Sequence, residues 1–294
     1  MIAEEDFCAN ENLRRVIAEL CASEMLPQAI LLCGETGTGR NLFARLIAAS
    51  YLNDSAGLVQ RHVHPDCIEV RGSGASGEIP IDAIREASYE VNKSSVMTDG
   101  KRTVIIENAY NLNRNSSAAL LKTLEQPPPG VIFILTSSGE RDLSDTVRSR
   151  CAAFYLVSPA SDECASFLKS RRDPEDHSLI DEYSGLFRGR IGLVLLALED
   201  SGFAAALSRA RIFAKGYIEN DILAMLSALD KAEDRRALAE ILRIAVFCLA
   251  EYGDMSRIVF AVNMIEEMRG YLSFNLAHKL FSTVLVSRLA KSAA

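Results

Sequence analysis

A short glycine-rich stretch, GETGTGRN at residues 34–41, constrains the fold more than any other feature of this sequence. It follows the apolar run AILLC (29–33), which is typical of a buried strand. It leads into RNLFARLIAASYL (40–52), whose apolar residues recur at helical spacing and predict a helix. A loop between such elements directs backbone N–H groups and a helix N-terminus at an anion.

The glycine spacing indicates which kind of anion site the loop resembles. Gly34 and Gly39, with Gly37 between them, match the phosphate loop G-x-x-x-x-G. The dinucleotide fingerprint G-x-G-x-x-G fails, because Leu42 stands where its third glycine is required. The alternative is a tight strand-to-helix turn of the kind that many α/β proteins contain.

Two residues depart from the phosphate-loop pattern, which continues with Lys and then Ser or Thr. Arg40 keeps the positive charge, but its planar guanidinium is bulkier than an ammonium group and needs a different geometry. Asn41 replaces the hydroxyl that coordinates Mg²⁺ with a larger amide, which suits a small octahedral ion poorly. The sequence therefore predicts a nucleotide that is held weakly or not at all.

A second candidate loop follows the apolar run TVII (103–106). In phosphate-loop ATPases such a strand ends in Asp-Glu, where the Asp holds Mg²⁺ and the Glu activates water. Here Glu107 stands at the Asp position and Asn108 at the Glu position. An amide cannot accept a proton as a carboxylate does, so the general base is missing. The alternative is that both residues only cap the strand.

The order of the predicted elements indicates the fold class. Short apolar strands at 29–33, 67–70, 103–106, 131–136 and 153–157 alternate with amphipathic helices, which predicts an α/β domain with a parallel sheet covered on both faces. Beyond the last of these strands the pattern is helical only.

Composition excludes several classes of protein. The net charge of -7 argues against a protein that coats DNA through a broad basic surface. Seven scattered cysteines without a C-x-x-C spacing suit a reducing compartment. The acidic start lacks the apolar region of a signal peptide, and no apolar run is long enough to span a bilayer, so we predict a cytoplasmic protein without membrane contacts.

Other polar residues carry weaker signals. His62, His64 and Cys67 lack a fourth partner, so we interpret them as part of a polar linker and predict no metal site. Five basic residues are candidate DNA contacts only as a class, and a solvated face is the simpler interpretation: Arg71, Arg85, Lys93, Lys101 and Arg102.

Four segments together resemble a known family. They are LPQAILLCGETGTGR, HPDCIEV, RTVIIENAYNLNRNSSAALLKTLEQPPPGVIFILTSS and DTVRSRC. In this order they are similar to the delta-prime family of bacterial DNA polymerase III clamp-loader subunits, which belongs to the AAA+ class. The specific match runs from about residue 10 to residue 157. The resemblance implies an AAA+ ATPase-like domain (1–157), a small helical lid (158–200) and a helical collar that oligomerises (201–294).

The resemblance also implies a function. A delta-prime-type subunit is a stator without ATPase activity in a hetero-oligomer with gamma/tau motor subunits and a clamp-opening delta subunit. The complex opens a sliding clamp and loads it onto primed DNA. Within the motif SRC, Arg150 would act as an arginine finger at the neighbouring motor subunit's ATP site. Thr136 occupies the position that senses phosphate in active members.

Two departures from relatives bear on this reading. Many relatives carry a zinc module at the position of residues 53–63. In this sequence that segment is short and contains no cysteine, so no zinc is predicted. The lid stretch GRIG ends in Gly192 where motor subunits carry an arginine, although Arg190 could serve instead. Two other functions stay open: a divergent motor subunit or DNA-remodelling ATPase that uses Arg40, and an interaction module outside replication.

Overall fold

The computed structural model describes residues 7–55, 57–73, 77–98, 100–230, 232–252, 255–271 and 277–291. The described residues divide into two compact units. The first comprises the chain as far as Phe167 together with Arg190–Gly192, and the second comprises Leu168–Gly189 and the residues from Leu193 onward. The predicted boundaries of lid and collar stay a prediction.

The first unit is built on a parallel sheet of five strands in the order β2-β3-β4-β1-β5. The strands are β1 (Ala29–Cys33), β2 (Cys67–Val70), β3 (Arg102–Ile106), β4 (Val131–Ser137) and β5 (Ala152–Tyr155). The predicted α/β class with a parallel sheet is thereby confirmed.

The last strand ends two residues earlier than its apolar pattern predicts. Val157 lies beyond β5, because its backbone pairs with a side chain instead of a strand. Its N–H donates to Asn10 Oδ1 at 3.0 Å, and its carbonyl accepts from Asn10 Nδ2 at 2.9 Å. The side-chain amide thus imitates a strand partner at the point where the sheet stops.

Helices cover both faces of the sheet. Those that begin in the first unit are α1 (Glu11–Ala22), α2 (Arg40–Tyr51), α3 (Ile81–Glu90), α4 (Arg114–Glu125), α5 (Asp145–Arg148) and α6 (Ser161–Lys169). Successive side chains of a strand point to opposite faces, so β1 contributes to two cores. Leu31 joins a cluster with residues of α3 and α4, whereas Ile30 joins one with residues of α1 and α2.

The second unit is helical throughout the part that the structure describes. Its helices are α7 (His177–Leu186), α8 (Ile191–Glu199, whose first two residues group with the first unit), α9 (Ser201–Glu219), α10 (Ile222–Asp230), α11 (Arg235–Leu249), α12 (Met255–Gly270) and α13 (His278–Lys291). Phe187 is fully buried here and lies edge-on to Phe247, with ring centroids 5.5 Å apart.

Within the described ranges, no single helix is both long and apolar enough to cross a membrane. Among the described helices, one consecutive pair, α8 and α9, satisfies that length and composition test when taken together, and a sharp bend separates the two.

Candidate functional site

Sheet topology brings the two predicted loops together. The glycine-rich loop follows β1, Glu107 and Asn108 follow β3, and Thr136 lies near the end of β4. These three strands are neighbours in the order β3-β4-β1, so their carboxyl ends meet at one edge of the sheet. Ligands of open parallel sheets bind outside this edge.

The loop requires glycine at two points. Gly37 and Gly39 have φ angles of 91° and 85°, in the left-handed region that side chains disfavour. A Cβ atom at Gly39 would also lie 2.7 Å from a ring carbon of Phe7. The loop therefore has the backbone shape that the sequence predicts, and it leads directly into α2.

Arg40 is turned into the protein rather than toward solvent. Only 6% of the residue is exposed. Its Nη1 donates to the carbonyl oxygen of Gly34 at 2.5 Å, and its Nη2 donates to Asn108 Oδ1 at 2.7 Å. The guanidinium carbon also lies 5.9 Å from the centre of the Tyr110 ring. One side chain thus ties the first loop to the second.

The surroundings of Arg40 affect its charge. Burial lowers the pKa of the guanidinium, against an opposing contribution from Tyr110. The Nε atom is buried and has no hydrogen-bond partner. Because both terminal nitrogens already donate to oxygens of the protein, the cation is held inside the loop that it would otherwise serve.

Asn41 and Thr136 form a second connection between the loops. The Thr136 hydroxyl donates to Asn41 Oδ1 at 2.7 Å and accepts from the backbone N–H of Asn108 at 2.9 Å. The Asn41 amide nitrogen donates to Glu107 Oε2 at 3.2 Å. Thr136 is completely buried, so its hydroxyl serves the protein rather than a solvent-exposed ligand.

Two arginines neutralise Glu107. Its Oε1 lies 3.1 Å from Arg45 Nη1 and 3.2 Å from Arg71 Nη2. Arg71 also pairs with Glu69 at 2.5 Å. Each oxygen of the Glu107 carboxylate therefore already has a nitrogen partner, with the Asn41 amide on the other oxygen.

Sequence reasoning did not place these arginines at the site. Arg45 lies four residues after Asn41, which puts the two on one face of α2. Arg71 follows β2, the neighbour of β3, so the strand order was the missing information. For Arg102 the interpretation as a solvated face is wrong, because Arg102 is 5% exposed and pairs with Asp66. Arg71 does have a half-exposed side chain, but it also pairs with Glu107.

The last three residues of GRIG, Arg190–Gly192, belong to the first unit and lie directly against the glycine-rich loop. The N–H of Gly192 donates to the carbonyl of Gly37 at 2.9 Å. A Cβ atom at Gly192 would lie 3.1 Å from Gly37 Cα and 3.2 Å from its oxygen. Arg190 forms an ion pair with Glu35, a residue of the same loop.

The predicted arginine finger lies elsewhere. Arg150 stands just before β5, at the amino end of that strand, whereas the glycine-rich loop follows the carboxyl end of the adjacent β1. A parallel strand of about five residues spans roughly 16 Å. Arg150 is thus separated from its own chain's loop by about the length of a strand, and its side chain is 35% exposed.

The histidines near β2 have protein partners. His62 Nδ1 contacts Glu69 Oε1 at 2.7 Å, and His64 Nδ1 accepts from the backbone N–H of Asp66 at 3.1 Å. Among the residues that the structure describes, no group of three or more His, Cys, Asp or Glu side chains could hold a metal ion.

Comparison with known proteins agrees with this architecture. A family model described as DNA polymerase III, delta subunit, matches residues 9–160, just over half of the chain. The chain belongs to this family. The match covers both loops of the candidate site and Arg150.

Individual relatives are subunits of bacterial DNA polymerase III. Subunit delta′ of Haemophilus influenzae is 28% identical over 195 residues, which are 66% of this chain and 59% of the relative. Subunit delta′ of Escherichia coli is 24% identical over 218 residues, 74% of this chain and 65% of the relative. Subunit gamma/tau of Mycoplasma genitalium is 30% identical over 164 residues, 52% of this chain and 27% of the relative. This member of the family therefore matches about a quarter to two thirds of their lengths.

A solved structure extends the similarity to the whole chain. A DNA polymerase III gamma subunit-related protein of Thermotoga maritima superposes with a TM-score of 0.61, covering 96% of this chain and 98% of its own. At 16% sequence identity this similarity concerns the fold alone.

Proposed function

We propose that this chain is a non-hydrolysing, delta-prime-type subunit of a bacterial clamp loader. Its own nucleotide site is closed, and it donates Arg150 to the ATP site of a neighbouring gamma/tau-type motor subunit. Its further partners in this proposal are a clamp-opening delta subunit and, through the assembled complex, a sliding clamp and primed DNA. The three domains predicted from sequence would serve as ATPase-like frame, lid and oligomerising collar in the cytoplasm.

The inward orientation of Arg40 carries the proposal. In an active phosphate loop the corresponding lysine reaches the terminal phosphates. Here both terminal nitrogens of Arg40 donate to oxygens of the same protein, Gly34 O and Asn108 Oδ1. A nucleotide would have to break these buried hydrogen bonds before it could use the charge.

The residues at the Mg²⁺ position do not fit a magnesium nucleotide. Mg²⁺ requires oxygen ligands in near-octahedral geometry. Glu107 is the carboxylate of this position, and Arg45 and Arg71 on its Oε1 would repel a divalent cation. Asn108 supplies no general base, so we derive no hydrolytic step in this pocket.

The position of Arg150 supports a role in trans. Charge develops on the terminal phosphate during transfer, and an arginine supplied by a neighbour stabilises it. Arg150 is remote from its own loop, and its side chain is partly exposed at the surface. It can therefore contact another subunit without rearrangement of the sheet.

The first test uses the isolated chain. We expect titration calorimetry with ATP and Mg²⁺ to give no tight, magnesium-dependent binding, and a phosphate-release assay to give no turnover. Tight binding followed by phosphate release would instead identify the chain as a divergent active ATPase. Co-purification from native lysate without clamp-loader subunits would favour an interaction module outside replication.

The second test uses the complex reconstituted with gamma/tau-type and delta subunits of the same organism. Arg150→Ala should lower ATP turnover at the adjacent site by about 10³-fold or more. That site would then contribute almost nothing to the stimulated ATPase rate of the complex. Arg148→Ala is the matched control, because Arg148 lies two residues away and forms a local ion pair with Asp145 at 2.9 Å. An unchanged rate with Arg150→Ala would remove the finger role.

A further inference from the structure

The side chain of Arg150 is not free in space but is held from two sides. Its Nη1 donates to the backbone carbonyl of Thr146 at 2.9 Å, one turn earlier along α5. Its Nη2 donates to Glu125 Oε1 at 2.5 Å. Glu125 is the last residue of α4, 25 positions earlier in the chain. Two separate elements thus converge on one guanidinium group.

The position of Glu125 is unfavourable for the helix on its own. The C-terminus of a helix carries a partial negative charge, which favours cations rather than carboxylates. The run of prolines at 127–129 cannot continue α4, so Glu125 stays at that end. A carboxylate placed against the helix dipole is stabilised by a positive partner, and Arg150 supplies one.

The two contacts leave part of the guanidinium available. An arginine side chain has five N–H donors, and Glu125 and Thr146 each use one of them. The remaining donors lie on a group that is 35% exposed, beside a carboxylate that is 52% exposed. Such a pair in solvent is weak, so its geometry can guide a side chain without preventing a stronger contact with phosphate.

We propose that Glu125 is a positioning residue for Arg150: it fixes the arginine in the orientation in which its unused N–H groups meet the neighbouring subunit's phosphate. This inference rests on the proposed finger role of Arg150. A free arginine samples many rotamers, and one that is already ordered loses less entropy when it binds. This preorganisation should lower the barrier of the catalytic step, because the charge that develops there is stabilised by N–H donors already in place.

The experiment is a double-mutant cycle in the reconstituted complex, with kcat and KM measured at the ATP site beside this chain. Glu125→Ala should lower kcat about tenfold and leave KM for ATP within twofold, because the ground-state nucleotide is bound by the motor subunit. Glu125→Gln keeps an acceptor oxygen at the same place and should retain kcat within about threefold. In the Arg150→Ala background, Glu125→Ala should have no further effect.

The controls separate positioning from damage to the fold. Asp82→Ala breaks another exposed ion pair, with Arg85 at 3.3 Å on α3, and should leave kcat unchanged. A normal kcat for Glu125→Ala, in a complex that responds to Arg150→Ala, would overturn the positioning role alone. The positioning role would also be overturned if Glu125→Ala lowered kcat by the same factor in the wild-type and Arg150→Ala backgrounds. If Arg150→Ala itself has no effect, the finger role fails first.

Discussion

Asp66, in the motif HPD, is a buried carboxylate that organises a surface loop. It is 0% exposed, and it accepts hydrogen bonds from the backbone N–H groups of Val96 (2.7 Å), Met97 (2.8 Å) and Thr98 (3.1 Å). Arg102 Nε lies 3.4 Å away. Burial alone would raise the pKa of this carboxyl, but the hydrogen bonds outweigh it and lower the pKa below its ordinary value. The resemblance contained this residue without explaining it.

We predict that Asp66→Asn lowers the free energy of unfolding by about 3 kcal/mol at neutral pH, because an amide N–H₂ would face backbone donors and the charge opposite Arg102 would be lost. The folded-state pKa lies below the unfolded one, so this stabilisation is present above about pH 4 and is lost as the pH falls through the folded-state value. Denaturant unfolding from pH 7 down to pH 2 should therefore show the two proteins converging in acid. The exposed Asp82→Asn is the control, and a constant difference across the range would contradict this account.

Arg40 and Asn41 are the residues that a designer would change first to recreate an ATPase. We predict that the double variant Arg40→Lys, Asn41→Thr still releases no phosphate, because Asn108 cannot act as a base. A lysine lacks the planar fork with which Arg40 bridges Gly34 and Asn108, so the variant should also lose about 1–2 kcal/mol of stability.

A phosphate-release assay on the double variant, with a gamma/tau-type motor subunit as the positive control, checks this prediction. Denaturant unfolding measures the change in stability. Magnesium-dependent turnover above background would mean that Arg40 and Asn41 alone inactivate the pocket of the natural chain, and the inactivity would then not depend on Asn108.

At the scale of elements, the contact between Gly192 at the start of α8 and the glycine-rich loop depends on the absence of a side chain. We predict that Gly192→Ala destabilises the protein by about 1–2 kcal/mol, because the atoms that the new Cβ would approach at 3.1–3.2 Å belong to the backbone of Gly37. The matched control is Gly185→Ala in α7, where a Cβ would meet nothing within 4 Å. That change should stabilise the protein by about 0.5 kcal/mol. Denaturant midpoints compare the two, and a more stable Gly192→Ala would disprove the close contact.

The elements themselves were largely predictable from the sequence. An apolar run bounded by Gly34 identifies β1, and helical spacing identifies α2, because both signals are local. The orientation of Arg40 was not predictable in the same way. It depends on Asn108 lying beside the first loop, which follows from the strand order β3-β4-β1 and from no pattern within either segment.

At the scale of the whole molecule, the difference between local sequence signals and contacts made by distant segments explains which parts of the site were missed. The sequence placed Glu107 at the position of the magnesium-binding Asp and indicated no partner for it. In the structure two arginines, Arg45 and Arg71, reach it from two elements separated along the chain. A basic residue in a sequence has no visible partner, so solvent is the default expectation until the fold brings a buried carboxylate within reach.

Each compact unit contains at least one buried cysteine, and this permits a test at the scale of the molecule. Burial raises the pKa of the Cys33 thiol in β1 to about 11 and that of the Cys248 thiol in α11 to about 12. At pH 8 a thiol with a pKa of about 11 is only about 0.1% thiolate, against about a quarter for an ordinary cysteine. The thiolate is the reactive form, so both residues should react at least about 100-fold more slowly with iodoacetamide in the folded protein than in denaturant.

Mass spectrometry of labelled peptides would measure the two rates separately as denaturant is raised. Cys33 then reports the opening of the sheet that positions the candidate site, and Cys248 reports the helical unit. Protection of Cys33 should persist until the sheet unfolds, because β1 lies between β4 and β5 and is buried along its whole length. Rapid labelling of Cys33 under native conditions would mean that the central strand opens without global unfolding. The sheet could then not hold Arg150 in a fixed position, which would contradict the proposed role of this domain.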